Sequence, residues 1–210
     1  DHGGNRLGAS ALMQGLADGY FILPVTIGDY LSKKFAEPKT DVTTAEFVKA
    51  EKDVQARIDK LFSIKGTKTV DSIHKKLGII MWDYVGMARD EQGLKKAIKE
   101  IQALKEDFYK NVNVPGSQYE FNQELEKALR LEDFFEIGEL MARDALNRQE
   151  SCGGHFRIES QTEEGEAKRD DANFMYVAAW EYKGEGVEPE LHKEPLKYEF
   201  IEVKTRNYKD

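Results

Sequence analysis

The sequence predicts a mainly α-helical protein: an up-and-down bundle of three or four helices, followed by a small C-terminal subdomain with an antiparallel pair of β-strands. Apolar residues recur at helical spacing through residues 43–149, with charged residues on the other faces. The connections are short, and Pro115-Gly116 is a clear turn signal. Short connections and wide apolar stripes disfavour the competing interpretation, a coiled-coil tether.

Two helical pieces are predicted before the bundle. The first spans residues 8–23, and Pro24 is expected to end or kink it because proline lacks an N–H donor and clashes with the preceding turn. The second spans residues 25–35, and a linker follows over residues 36–42. One apolar face at helical spacing is formed by Leu16, Tyr20, Leu23 and Ile27.

Four helices are predicted for the bundle, over residues 43–66, 70–90, 91–112 and 120–149. Thr43 or Thr44 caps the first, Gly66 closes it, and the last has a candidate break near Leu131. The side chains expected to face the core are Phe47, Val54, Ile58 and Leu61; Ile73, Leu77, Ile80, Met81 and Tyr84; Leu94, Ile98, Ile101, Leu104 and Phe108; and Phe121, Leu125, Leu129, Phe134, Ile137, Met141 and Ala145.

The last third of the chain has a different pattern. Residues 174–182 and 197–204 are rich in β-branched and aromatic side chains with partial alternation, which predicts two strands. Gly184, Gly186 and Pro189 mark the turn region between them. We therefore expect an antiparallel pair.

Composition excludes some classes of partner. The chain has 210 residues and a formal net charge of −8, which disfavours nucleic acid or an anionic membrane surface. The single Cys152 cannot form an intrachain disulfide, which is consistent with a reducing compartment. The most apolar run, residues 20–27, is too short to span a bilayer.

No metal site and no nucleophilic site are predicted. Four histidines at positions 2, 74, 155 and 192 and one cysteine make no ligand cluster by spacing. Cys152 lacks a neighbouring His–Asp arrangement, so we interpret it as unreactive. His155 is interpreted as a hydrogen-bonding residue between domains rather than as a catalytic group.

The stretch from His2 to Leu12 combines features of a binding site. Two glycines free the backbone, and the chain then enters a helix whose first N–H groups are unpaired. Arg6 lies between them, and its planar fork suits a carboxylate. On residue types alone this is either an anion-facing or cofactor-facing helix N-terminus, or a loop that only begins a helix.

This stretch resembles a known motif. His2-Gly3-Gly4-Asn5-Arg6-Leu7-Gly8 is similar to the His-Gly-Ala-Asn-Arg-Leu-Gly motif of succinate dehydrogenase and fumarate reductase flavoprotein subunits, with Gly4 in place of the usual alanine. The continuation over residues 13–21 also resembles that family. The resemblance implies that Arg6 binds a substrate carboxylate, and that Ala11 and Leu12 lie against FAD through their backbone N–H groups.

A second segment carries the same resemblance. Residues 150–157 resemble the Glu-Ser-Arg-Gly-Ala-His-x-Arg segment of the family, and Arg169-Asp170-Asp171 matches the Arg-Asp-Asp that follows. Cys152 replaces the usual arginine, so any ion pair of that arginine is missing here. The segment of residues 161–167 is longer and more acidic than the corresponding segment in the common pattern of the family.

The resemblance implies an organisation for the chain. Residues 1–36 would be a remnant of a flavin domain, residues 42–149 the helical bundle, and residues 150–210 an α+β tail. No G-x-G-x-x-G fingerprint is present, so we expect the C-terminal portion of a longer flavoprotein. The family's proton-shuttling arginine and FAD-linked histidine lie upstream, so no catalytic residue is expected here. The fragment alone is expected to be inactive and not to hold FAD.

The function implied is the interconversion of succinate and fumarate within electron transport and the tricarboxylic acid cycle. An iron–sulfur subunit and a quinone-reactive membrane anchor would be the partners, and the protein would be peripheral on the cytoplasmic side of the membrane. The physiological direction stays open. Two alternatives are an L-aspartate oxidase-like flavoprotein and a non-catalytic helical interaction module. The continuation over residues 8–12 and the long tail favour the succinate/fumarate class.

Overall fold

The computed structural model describes residues 10–200 and 202–204. The helices are α1 (Ser10–Ala17), α2 (Leu23–Lys34), α3 (Ala45–Ser63), α4 (Val70–Val85), α5 (Glu91–Asn111), α6 (Gln123–Asn147) and α7 (Asp171–Phe174). The strands are β1 (Lys68–Thr69), β2 (Val112–Asn113), β3 (Tyr176–Glu181) and β4 (Glu190–Pro195). The predicted fold class, a helical bundle followed by a small antiparallel β pair, is confirmed.

The N-terminal helical run continues through Pro24, so the prediction that the first helix ends there is wrong, and an irregular turn lies just before the proline. A π-helical turn, Asp18–Ile22, joins α1 to α2, and the N–H of Leu23 donates to the carbonyl of Asp18. Pro24 therefore comes directly after the π-helical turn, where the backbone hydrogen bonding of the run changes from the α pattern to the wider π pattern and back. The predicted first residue of this helix, Gly8, lies outside the described residues.

The core lies where α4, α5 and α6 pack together. On α5 the expected inward residues Leu94, Ile101, Leu104 and Phe108 are buried, and on α4 so are Ile73, Leu77 and Ile80. The ring of Phe108 packs against that of Phe135 on α6 at 5.6 Å between centroids. These three helices bury a single continuous apolar cluster.

The inward face of α6 differs from the prediction. Phe121, Phe134, Ile137 and Met141 were expected in the core, but they are 92%, 40%, 55% and 48% exposed. Ala145 is buried as predicted, and Leu125 and Leu129 pack against the core. The rest of the buried face consists of Ala128, Leu131, Glu132, Phe135, Gly138 and Ala142. A Cβ at Gly138 would lie 3.2 Å from the sulfur of Met81, so small side chains allow α4 and α5 to approach α6 closely.

Several helix ends also differ from the expectation. The second bundle helix, α4, ends at Val85 rather than at residue 90, and α6 is unbroken at Leu131. Side-chain caps fix three starts: Thr69 accepts from the N–H of Ser72, Asp90 from that of Gly93, and Asn122 from that of Leu125.

The first bundle helix, α3, is attached more loosely than predicted. Leu61 is its one buried residue, and Phe47 and Val54 are half exposed rather than inward. Its main polar attachment is Arg57, which donates to the buried carboxylate of Glu132 on α6 at 2.8 Å. The hydroxyl of Tyr109 on α5 donates to the same carboxylate at 2.8 Å. One carboxylate therefore joins three helices.

The connection from α3 to α4 lies directly against the end of α5. Gly66 follows the helix by three residues, and a Cβ there would lie 1.8 Å from the carbonyl oxygen of Asn111. Only glycine fits this approach. The strands β1 and β2 then pair in parallel, with Lys68 opposite Val112.

The C-terminal hairpin has one expected strand and one displaced strand. The strand β3 lies within the predicted range, but its partner β4 spans residues 190–195, and no strand occurs in the described part of 197–204. Gly184 and Gly186 adopt positive φ, so the chain reverses early and pairs at once after Pro189. The hairpin is fixed to α6 because the indole N–H of Trp180 donates to Asp144 at 2.8 Å.

Candidate functional site

The predicted flavin-facing residues lie at the start of α1. Arg6 lies outside the described residues. Ala11 and Leu12 are the second and third residues of the helix, so their N–H groups belong to the first turn, where donors have no helical partner. No acidic side chain lies in that turn. Ala11 is partly exposed and Leu12 is exposed.

The helical run that carries these residues has no buried residue from 11 to 34. The predicted apolar face formed by Leu16, Tyr20, Leu23 and Ile27 is more than half exposed at every position. Large apolar side chains outside that face, including Phe21 and Val25, are also exposed. An exposed apolar face of this size is typical of a helix that packs against another domain or a partner protein.

The segment after α6 is fixed against the bundle by two residues of opposite charge. Arg157 is buried and donates to the carbonyl oxygens of Ala145 and Leu146 at the end of α6, at 2.9 and 3.3 Å. Glu159 accepts from the first N–H of α5, on Glu91, at 2.6 Å. A cation at a helix C-terminus and an anion at a helix N-terminus both stabilise the helix dipole. This segment therefore locks α5 and α6 together.

His155 lies in the same segment and contacts a residue that the sequence did not single out. Nδ1 of His155 is 2.8 Å from a guanidinium nitrogen of Arg89, and Nε2 is 2.8 Å from the carbonyl oxygen of Arg148. Arginine only donates and a carbonyl only accepts, so the ring is neutral with its hydrogen on Nε2. Burial first, and then the charges of Arg89, Arg157 and Arg148, lower the pKa of His155 against the opposing effect of the carbonyl hydrogen bond.

Arg89 could not be found from local sequence signals. It lies in the turn after α4, where its own side chain also donates to the carbonyls of Val85 and Gly86. Its partner is 66 residues away along the chain. Backbone hydrogen bonds from Arg89 to Phe156 and from Ile158 to Arg89 hold the two segments in register.

A second arginine organises the start of the C-terminal part. Arg148 donates to the buried carboxylate of Glu150 at 2.7 Å and to the carbonyls of Phe174 and Tyr176. The other oxygen of Glu150 accepts from the N–H of Asp170 at 2.9 Å. The Glu-Ser and Arg-Asp-Asp motifs of the sequence are therefore brought together by Glu150.

Cys152 has surroundings that disfavour reactivity. Its backbone exchanges hydrogen bonds with His155, at 2.8 and 3.0 Å, in a tight turn. By surface area the residue is exposed, but the atoms around its thiol partly exclude water, and this desolvation together with the charge of Glu150 raises the pKa of Cys152. A raised pKa lowers the thiolate fraction at neutral pH.

Metal-ligating side chains are clustered in the described residues at one place, on the hairpin. The residues are Glu181, Glu190 and His192, all exposed. Glu181 and Glu190 are directly opposed in the β3–β4 register, which spacing along the sequence does not reveal. Nζ of Lys183 lies 2.8 and 2.7 Å from these two carboxylates, so a protein cation already offsets part of their charge.

None of the helices over residues 10–200 has the length and apolarity that a bilayer span requires.

Comparison with known proteins assigns the family. A model of the fumarate reductase flavoprotein C-terminal family matches residues 74–208. The chain belongs to this family. The match begins within α4 and includes α5, α6, the arginine-rich segment (residues 148–159, with Arg148 and Arg157) and the hairpin, so the resemblance noted in the sequence is confirmed.

Individual relatives extend the similarity towards the N-terminus. The fumarate reductase flavoprotein subunit of Haemophilus influenzae is 28% identical over 196 residues, which cover 93% of this chain and 30% of the relative. An uncharacterised FAD-dependent oxidoreductase of Methanocaldococcus jannaschii is 33% identical over 156 residues, 74% of this chain and 26% of the relative. A quinol fumarate reductase structure from E. coli has the same fold, with a TM-score of 0.67 and 23% identity over 82% of this chain and 28% of that chain.

The chain thus spans about 30% of the length of the curated relatives it matches. It corresponds to the C-terminal domain of the flavoprotein subunit in the succinate dehydrogenase and fumarate reductase family.

Proposed function

We propose that the full-length protein is the FAD-containing subunit of a succinate dehydrogenase or fumarate reductase, which interconverts succinate and fumarate. The observation that carries this proposal is the family match over residues 74–208. The motif from His2 to Leu12, which lies before that match, supports it independently. We also propose the division into residues 1–36, 42–149 and 150–210, with the first part belonging to the flavin domain.

The start of α1 fits the flavin. Ala11 and Leu12 lie in the first described turn of this helix, and no side chain of that turn is a carboxylate that would compete for their N–H groups. The positive end of the helix dipole also favours an electron-rich group in front of it. We infer that these two N–H groups hold one edge of FAD. FAD, when bound, accepts or returns a hydride at N5.

Arg6 is proposed to hold one carboxylate of the substrate. Its planar fork matches a carboxylate with two charge-assisted hydrogen bonds, and a fixed dicarboxylate is presented to the flavin in one orientation. Arg6 comes four residues before the start of the described helix, next to the flavin contacts. In this proposal it binds and orients substrate, while the proton is moved by residues upstream of this chain.

The partners follow from the relatives. The matching fumarate reductase proteins are named as flavoprotein subunits, and the similar E. coli structure is a quinol fumarate reductase. We therefore propose an iron–sulfur subunit and a quinone-reactive membrane anchor as partners, with electrons passing through the former to or from quinone. The flavoprotein would then be peripheral to the membrane, on its cytoplasmic side. The direction of the reaction depends on the flavin and quinone potentials.

The test is substitution of Arg6 in the full-length enzyme. Arg6→Gln removes a charge-assisted contact to the reacting substrate, so turnover should fall at least about a hundredfold. Arg6→Lys keeps the charge without the fork and should also be severely impaired. FAD content should stay close to one per subunit, because the flavin contacts are backbone groups further along the chain.

Two outcomes would contradict the proposal. Near-normal succinate turnover in either variant would remove Arg6 from the substrate site, whereas loss of FAD together with activity would make it a structural residue of the turn. Assays of the unmodified enzyme with L-aspartate test the alternative class: oxidation of L-aspartate without succinate turnover would assign the protein to the L-aspartate oxidase-like flavoproteins.

A further inference from the structure

A groove separates the bundle from the C-terminal hairpin, away from the start of α1 and from the arginine-rich segment. It has a volume of about 600 Å³ and is bounded by α5, α6, the end of β3 and the loop before β4. This volume lies within the range of about 300–1,000 Å³ typical of ligand sites. The side towards solvent is open, which suits a segment that lies across the surface better than an enclosed small molecule.

Apolar side chains form the floor of this groove. Leu140 and Trp180 are half-buried, while Ile137, Tyr182 and Val187 remain more than half exposed. Trp180 is held in place by its hydrogen bond to Asp144 on α6. Exposed apolar side chains gathered from a helix, a strand and a loop are uncommon on a surface that faces only water.

The rim of the groove is acidic. Five carboxylates surround it against two basic side chains, those of Lys105 and Arg143. Both are already paired: Lys105 lies 3.6 Å from Glu136, and Arg143 contacts Glu139 and Glu188. Lys110, outside the groove, lies 3.2 Å from Glu106, so three basic side chains stand against five carboxylates and Glu185 is the rim carboxylate farthest from neutralisation. The rim therefore presents a surplus of negative charge over an apolar floor.

The negative charge of Glu185, on the loop before β4, acts on Tyr109 at the edge of the groove. Burial, the hydrogen bond to Glu132, and the charges of Glu132 and Glu185 raise the pKa of Tyr109, whose ring lies at the edge of the groove. Gly184 and Gly186 place Glu185 there, because their positive φ turns the loop back towards α5. A cation in the groove would be attracted by Glu185 and by its neighbours on the rim.

We propose that this groove is a docking site for a short extended segment of a partner protein, one that alternates basic with aliphatic or aromatic side chains. The apolar side chains of the segment would cover Ile137, Tyr182 and Val187, and its basic side chains would pair with the rim carboxylates. Apolar contact supplies the affinity, and charge complementarity selects a basic segment over an acidic one. This proposal does not depend on the flavin site or on Arg6.

The experiment uses the 210-residue chain and a fluorescent eight-residue peptide that alternates lysine with leucine and phenylalanine. Two further peptides separate charge from apolar contact: one has glutamate in place of lysine, and the other has serine in place of leucine and phenylalanine. Fluorescence anisotropy measures each affinity. The basic apolar peptide should bind, and both comparison peptides should bind at least about tenfold more weakly.

Two variants place the binding in the groove. Glu185→Lys reverses a rim charge and Val187→Asp puts a charge on the floor, and each should weaken the basic apolar peptide at least about tenfold. Matched controls make the same changes elsewhere: Glu163→Lys in the acidic segment of residues 161–167, and Val42→Asp in the linker before α3. These should change the affinity less than about twofold.

Circular dichroism and thermal unfolding check that each variant retains the fold, and all four sites lie on exposed loops, where such changes are tolerated. The proposal is overturned if the basic apolar peptide does not bind, or if the serine peptide binds as well. It is equally overturned if Glu163→Lys weakens binding as much as Glu185→Lys does, because the peptide would then respond only to the net charge of the chain.

Discussion

The helical run of α1 and α2 and the helix α5 both carry large apolar side chains, but only α5 buries them. Every turn of α5 buries at least one apolar side chain, from Leu94 to Phe108. No residue from 11 to 34 is buried, although large apolar side chains are more frequent there. The formation of a helix therefore does not show that the helix packs against the rest of the chain. The two regions differ in whether their apolar faces have a partner within the described residues. Truncation of aromatic rings, overpacking at glycines and hydrogen exchange test that difference.

The largest effect is expected from the core of the bundle. Phe108→Ala removes a fully buried ring that packs on Phe135, and the cavity left behind should lower the free energy of unfolding by about 3–5 kcal/mol. Tyr20→Ala truncates an aromatic ring of similar size on the exposed run. It should change the same quantity by less than about 0.5 kcal/mol. Urea denaturation measures both, and similar losses would show that the exposed run is part of the bundle's cooperative unit.

Two glycines sharpen the comparison. Gly138→Leu inserts a side chain where Met81, Leu77 and Ile101 already lie within 4 Å, and overpacking should cost about 1–3 kcal/mol of unfolding free energy. Gly28→Leu on α2 meets no atom within 4 Å and improves helix propensity, so it should be neutral or slightly stabilising. Thermal unfolding of both variants checks this. A tolerated leucine at 138 would contradict the close approach of α4 to α6.

The contact between His155 and Arg89 makes the attachment of the C-terminal segment sensitive to acid. The pKa of His155 is lowered in the folded chain, so the ring stays neutral while the unfolded chain takes up a proton below about pH 6.5. Stability is fully present above that value. As the pH falls below about 6.5, the free energy of unfolding should decline, with a contribution from this group of at most about 1.4 kcal/mol per pH unit.

The matched variant for that measurement is His155→Gln. Glutamine offers a donor and an acceptor without titrating, so the decline over this pH interval should become shallower. Urea denaturation at several pH values gives both slopes. An unchanged slope in His155→Gln would assign the acid sensitivity to other groups.

The smallest energetic effect is expected for local opening of the N-terminal run. Its amides should exchange with solvent well before those of α5 in a monomeric sample, because few apolar contacts oppose opening. Hydrogen exchange followed by mass spectrometry resolves the two regions. Equal protection of residues 10–34 and α5 in a monomer would mean that the exposed face is covered within the chain itself.

The sequence predicts the buried face of a helix correctly where the largest apolar side chains are the ones that are buried. On α5 the apolar and charged faces are sharply separated, so its inward residues could be named correctly. On α6 the inward face mixes Leu131 and Phe135 with the small residues Ala128, Gly138, Ala142 and Ala145, and bulky residues such as Phe134 and Ile137 lie outside. A pattern search that follows large side chains selects the wrong face when the helices approach closely over small ones.

Contacts between segments far apart along the chain also could not be predicted from the sequence. The second strand was predicted from its apolar composition, but the hairpin register selected Glu190–Pro195 because the glycine loop turns the chain early. The contact between Arg89 and His155 joins segments 66 residues apart and leaves no local signal. The candidate substrate residue, Arg6, lies outside the described residues, so its role stays a prediction. The flavin contacts of Ala11 and Leu12 also stay a prediction, supported by their place in the first turn of α1.

The carboxylate of Glu132 has a consequence for how this sequence can change over time. It accepts from Arg57 and Tyr109, which belong to two different neighbouring helices. Replacing Glu132 with an apolar residue leaves the partly buried hydroxyl of Tyr109 without its acceptor, and replacing Tyr109 or Arg57 removes a donor from the buried carboxylate. Such a replacement is therefore better tolerated when the partner positions change as well. The three positions are therefore expected to covary among homologues, or else to drift more slowly than the exposed faces around them.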